Sequence, residues 1–187
     1  MNSKSVLTIP NILSFLRLLL SPVIFFILKA NIKLAFFIFV IVSLTDALDG
    51  LIARLTNSIS FLGKILDPVA DKVLIISLAF SFIKARYHIP LMLVKLILIR
   101  EGFIILGSIA LLYSGIVPKP SILGKATTFI LILVFYALFY ENLENKELDF
   151  INELYNVAYL FVVLSFLEYL ILWIKNMINV SKYKALK

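Results

Sequence analysis

Four aspartates, Asp46, Asp49, Asp67 and Asp71, fall within the stretch DALDGLIARLTNSISFLGKILDPVADK at residues 46–72. A helix advances about 100° per residue, so Asp46, Asp49, Gly50, Ala53 and Arg54 share an arc of about 140°. Gly63, Asp67 and Asp71 stand at i, i+4 and i+8 and form a second stripe. Carboxylates gathered this closely repel one another and raise each other's pKa. One or two divalent cations relieve that, because hard ions take carboxylate oxygens and supply the missing charge. Gly50, Ala53 and Gly63 fit the same picture by letting a bulky polar ligand approach the backbone.

The surroundings make the pattern costly. The chain has 187 residues, is 62% hydrophobic and only 16% charged, with a mean hydropathy of +1.06, outside the range of soluble domains. An aspartate at membrane depth costs about 2.5–3.5 kcal/mol on insertion scales, so four cost on the order of 10 kcal/mol at most. Simpler readings exist for single residues. Asp67 before Pro68 reads as a helix N-cap, Asp49 with Arg54 as an ion pair, and Gly50 with Ala53 as a site of close helix packing. None of them requires all four carboxylates.

The elements that must position these residues are spanning helices of about 20 apolar residues each. Polar breaks divide the chain into six spans, expected near 11–28, 34–54, 61–83, 89–113, 121–140 and 150–174. The fold class is therefore all-α: a six-transmembrane-helix bundle, one polytopic membrane domain over 1–187, with a polar cavity open to the cytoplasm. Arg17 inside the first span and the Pro-Asn pair before it argue against a cleaved signal peptide. With an inside N-terminus, the cytoplasmic side holds Arg54, Lys64, Lys119, Lys125, Lys175 and the basic tail, so both termini and the aspartates face the cytoplasm. The acidic stretch ENLENKELD lies outside. The net charge of +7 needs no nucleic acid to explain it. No cysteine is present, which excludes disulfides and thiolate metal sites, and the single histidine, His88, reads as a solvated loop residue.

The spaced residues Asp46, Asp49, Gly50, Ala53, Arg54, Gly63, Asp67 and Asp71 resemble, at every fixed position, the signature of the CDP-alcohol phosphatidyltransferases. The opening IPNILSFLRLLLSP is similar to that of bacterial phosphatidylglycerophosphate synthases and their cardiolipin-synthase relatives. The resemblance covers about residues 8–135 and implies attack of an acceptor hydroxyl on the β-phosphorus of a CDP-linked lipid such as CDP-diacylglycerol, releasing CMP. It implies that Asp46, Asp49 and Asp67 hold divalent ions, Mg²⁺ or Mn²⁺ and two in number, that Asp71 completes the metal site and acts as general base, and that Gly50, Ala53, Arg54 and Gly63 lie along the CDP moiety. It also implies a homodimer among membrane lipids, in a bacterial cytoplasmic membrane.

Arg17, Arg100 and Lys125 are expected to contact an anionic acceptor, because charges inside spans are functional candidates; Lys95 reads as a snorkelling residue. The segment LIREGFIILGSIALLYSG is similar to the Arg-Glu segment of phosphatidylglycerophosphate synthases, but Ser108 stands where those carry a second arginine. Glycerol 3-phosphate ranks first as acceptor. Phosphatidylglycerol, as in the CMP-forming cardiolipin synthases, is the alternative, followed by inositol phosphate or serine. A cation or proton transporter is the competing class, and it predicts inverted repeats that are not visible. A phospholipase-D type of cardiolipin synthase needs paired histidines and is excluded.

Overall fold

A computed structural model describes the backbone of residues 9–56, 63–113 and 121–185; the side chains of 9–10, 46–68, 112 and 179–185 lie outside the described residues. Among the described residues every regular element is an α-helix, with α1 Ile9–Ile27, α2 Ile32–Thr56, α3 Gly63–Ala85, α4 Leu91–Tyr113, α5 Ile122–Glu144 and α6 Ile151–Ala185.

Local chemistry sets the helix ends. Asn31 caps α2, its Oδ1 accepting from Leu34 N at 3.0 Å, and Ser121 caps α5, its Oγ accepting from Gly124 N at 2.9 Å. Arg86 closes α3 at φ 60° and Asn145 closes α5 at φ 50°. Both occupy the left-handed position just past a helix. Beyond Arg86, Tyr87 N donates to Phe82 O at 3.1 Å, and the Tyr87 ring packs on Phe82 at 5.8 Å. Past Asn145, Lys146 N donates to Glu141 O at 3.1 Å.

Two of the expected boundaries move. α5 continues through Glu144, so ENLE is helix and not loop. α6 runs 35 residues to Ala185, well beyond the expected 174. At 1.5 Å per residue α6 is about 52 Å long, more than the roughly 30 Å hydrocarbon core requires.

By length and composition two helices can cross a membrane, Ile122–Glu144 and Ile151–Ile178, and shorter apolar stretches occupy Asn11–Ile27 and Ile32–Thr45. Only 17% of the most apolar window of Ile151–Ile178 is buried. Leu160, Leu164, Leu167, Ile171 and Ile174 instead face outward, which suits hydrocarbon as the surrounding solvent and not water. The chain is accordingly a membrane protein.

The chain forms two compact units, Met1–Ile89 with Phe139–Lys146, and Pro90–Leu138 with Glu147–Lys187. In the first unit α1 packs against both α2 and α3. Arg17 meets Asp71, and further along both helices Lys84 Nζ lies 4.2 Å from the Phe25 ring centroid. Contacts in the same order on both helices make α1 and α3 parallel. α2 returns antiparallel to α1 after the short turn at Leu28–Asn31. Phe39, Phe82 and Phe139 are fully buried at the end away from Asp71. Phe139 stacks on Phe39 at 5.2 Å and meets Phe82 edge-on at 5.1 Å. In the second unit α4 packs on α6, and Phe103 meets Phe166 edge-on at 5.2 Å.

Candidate active site

The topology of the first unit carries the acidic residues to one end. α2 arrives there at its C-terminus with positions 46 and 49, and α3 departs with positions 67 and 71. The side chains of Asp46, Asp49, Gly50, Ala53, Arg54, Gly63 and Asp67 lie outside the described residues. Their backbone still decides one question. α3 begins at Gly63, so Asp67 stands a full turn inside the helix, and the N-cap explanation for it does not hold.

Asp71 is described. Its side chain is 40% exposed, and its Oδ1 accepts a hydrogen bond from Nη1 of Arg17, whose side chain is fully buried. Each residue lies eight positions into its helix, and the parallel packing of α1 and α3 brings the two to the same depth. A charge-assisted pair of this kind holds both groups in a defined geometry. Among the described residues no three of His, Cys, Asp and Glu are grouped to hold a metal, three of the four aspartate side chains being outside that set.

Sequence reasoning did not find the stripe that carries Arg17. Asn11, Ser14, Arg17 and Ser21 are all buried on α1, at spacings of three, three and four, which one helix face accommodates. Such spacing of polar residues in an apolar span was the available signal. Ser21 Oγ donates to the Arg17 carbonyl at 2.7 Å, one residue before Pro22, which lacks an N–H for the helix ladder.

The second unit holds another buried charge cluster. Arg100 on α4 is 2% exposed. Its Nε donates to Ser165 Oγ at 2.7 Å, its Nη1 to a carboxylate oxygen of Glu101, and its Nη2 to the Gly124 carbonyl at 3.3 Å. The Tyr169 ring centroid lies 6.0 Å from the guanidinium carbon. Arg100 thus ties α4 to α5 and α6. Lys125 follows Gly124 on α5 and is exposed, as are Lys95 and His88.

Gly124 leaves room for two side-chain hydroxyls at this packing. A Cβ there would lie 2.7 Å from Tyr169 Oη and 2.8 Å from the Ser121 Oγ that caps α5. Gly124→Ala is expected to destabilise the protein by about 1–3 kcal/mol through overpacking and a weakened cap. Thermal unfolding in detergent would measure the loss, and adding Tyr169→Phe should recover part of it. An unchanged midpoint in Gly124→Ala would show that the contact carries no energy.

A family model described as CDP-alcohol phosphatidyltransferase matches residues 7–181. The chain is 34% identical over 171 residues to the CDP-diacylglycerol--glycerol-3-phosphate 3-phosphatidyltransferase of Aquifex aeolicus, covering 90% of this chain and 93% of that one. It is 42% identical over 120 residues to the CMP-forming cardiolipin synthase of Rattus norvegicus, covering 63% of this chain but 39% of the relative. To the CMP-forming cardiolipin synthase of Streptomyces coelicolor it is 37% identical over 139 residues, 70% of this chain and 64% of that one.

Proposed function

The chain belongs to the CDP-alcohol phosphatidyltransferase family, and from that premise we propose that it transfers the phosphatidyl group of CDP-diacylglycerol to glycerol 3-phosphate, releasing CMP. The observation carrying this reading is the match to the Aquifex relative along 93% of that protein's length. The cardiolipin synthases favour the second reading, phosphatidylglycerol as acceptor, through a higher identity over a shorter stretch and through Ser108, which stands where glycerol-3-phosphate enzymes carry a second arginine. Inositol phosphate and serine are further family acceptors.

In this reading all six helices span one membrane domain, with both termini and the site on the cytoplasmic side of a bacterial membrane and with a second copy as partner. The family uses divalent metal ions. The donor set fits them, since Asp46, Asp49, Asp67 and Asp71 offer only hard oxygen ligands and are carried by α2 and α3 to one end of the first unit. Mg²⁺ or Mn²⁺, two ions in our proposal, supplies positive charge against the diphosphate when bound. The chain's own residues do the rest. Gly50, Ala53, Arg54 and Gly63 line the CDP moiety, and the carboxylate of Asp71 takes the proton of the acceptor hydroxyl. The hydroxyl oxygen then bonds to the β-phosphorus as the bond to CMP breaks. Lys125 attracts the acceptor's anionic group, and Arg100 supports it by fixing the adjacent Gly124 carbonyl.

Purified protein in detergent with Mg²⁺ or Mn²⁺ should release CMP from CDP-diacylglycerol fastest with glycerol 3-phosphate, compared with phosphatidylglycerol, inositol phosphate and serine. Release with phosphatidylglycerol alone would establish the second reading. No release with any of the four would overturn phosphatidyl transfer.

A further inference from the structure

Arg17 is the charged residue that the sequence assigned to the acceptor and that the structure places on Asp71. The guanidinium is 1% exposed at the residue level, and its Nη1 donates to Asp71 Oδ1. A group buried to this degree, with its charge facing a carboxylate of its own protein, is poorly placed to greet an incoming anion. It is well placed to control the carboxylate.

Two consequences follow from that contact. The hydrogen bond from Nη1 to Oδ1 restrains the Asp71 carboxylate, and that restraint biases which oxygen lone pairs point toward a reacting hydroxyl. The positive charge also lies within hydrogen-bond distance of one of the four carboxylates, so it lowers the net negative charge offered to a divalent cation. Asp71 is thereby held back from binding metal as strongly as a bare carboxylate would, and its basic oxygen is kept for the acceptor.

We propose that Arg17 is a positioning residue of the phosphatidyl-transfer reaction, orienting Asp71 and offsetting its charge, and that it does not contact the acceptor. This rests on the reading of Asp71 as the base in phosphatidyl transfer. The structural support for it is that Arg17 belongs to a buried polar stripe, Asn11, Ser14, Arg17 and Ser21, on α1, a helix that packs against both α2 and α3.

The test compares wild type with Arg17→Met and Arg17→Lys. It measures kcat and the acceptor KM in the CMP-release assay, and Mn²⁺ affinity of the substrate-free protein by electron paramagnetic resonance. Arg17→Met should lower kcat about 30–100-fold with the acceptor KM changed less than about threefold, the signature of a lost transition-state interaction. The same variant should bind Mn²⁺ more tightly, by about 3–10-fold, because a positive charge has left the site. Arg17→Lys keeps the charge but not the planar guanidinium that now reaches Oδ1, so its Mn²⁺ affinity should stay near wild type while kcat is only partly restored.

A raised acceptor KM with unchanged kcat, in either variant, would place Arg17 on the acceptor and overturn the proposal. Weaker or unchanged Mn²⁺ binding in Arg17→Met would overturn it as well, since loss of structure alone loosens a metal site. If Arg17→Met does not fold, the Arg17→Lys values decide. Should wild type release no CMP with any acceptor, phosphatidyl transfer itself fails, and the Mn²⁺ comparison alone judges the Arg17–Asp71 pairing.

Discussion

Asp71→Asn should lower CMP release by about 10³-fold or more, within the range that loss of a general base produces, while binding of CDP-diacylglycerol survives. The substitution is nearly isosteric. Its amide oxygen can still accept the hydrogen bond that Arg17 Nη1 now gives to the carboxylate, so the side chain keeps its place but loses the ability to take a proton. Turnover by paired assays and nucleotide-lipid binding by equilibrium titration would separate these effects. Undiminished CMP release in Asp71→Asn would remove the base assignment. Asp71→Glu offers a second check, because one added methylene displaces the carboxylate by about 1 Å, enough to cost about 10²-fold. The buried Arg17 loses this counter-charge in Asp71→Asn, so a modest fall in thermal stability should accompany the loss of turnover.

Arg100→Met should destabilise the protein by about 3–5 kcal/mol, the cost of breaking one side of a buried ion pair. Glu101 is 2% exposed and would keep its charge without the guanidinium that now meets it, while Ser165 Oγ and the Gly124 carbonyl would lose a donor. Arg100→Lys should not rescue, because a single ammonium cannot reach along the three directions the guanidinium serves. Adding Glu101→Gln to Arg100→Met should recover part of the loss, and a double-mutant cycle on thermal unfolding in detergent would measure the coupling. Full stability of Arg100→Lys with a raised acceptor KM would instead identify Arg100 as an acceptor contact.

Hydropathy and spacing revealed much of this molecule in advance. The number of helices and the middle of each follow from apolar runs, which depend only on local composition. The acidic residues stood out because their intervals match the helical repeat. The ends of α5 and α6 were less legible. Glu141 and Glu144, like Lys175, are good helix formers whose charge imitates a loop, and α5 stops where Asn145 adopts a left-handed backbone. Least legible were the partners of the buried charges. Arg17 meets a residue 54 positions away and Arg100 one 65 positions away, and such pairings depend on which helix faces pack together. Nothing in the local pattern distinguishes an arginine that greets a substrate from one that braces a neighbour.

Phe39, Phe82 and Phe139 rivet the first unit at the end opposite its carboxylates. Phe82 lies eleven residues beyond Asp71 on α3, a lever arm of about 16 Å. α2, α3 and α5 each contribute one ring to this contact, so in a close-packed interior a truncation of any one ring is felt by the other two helices.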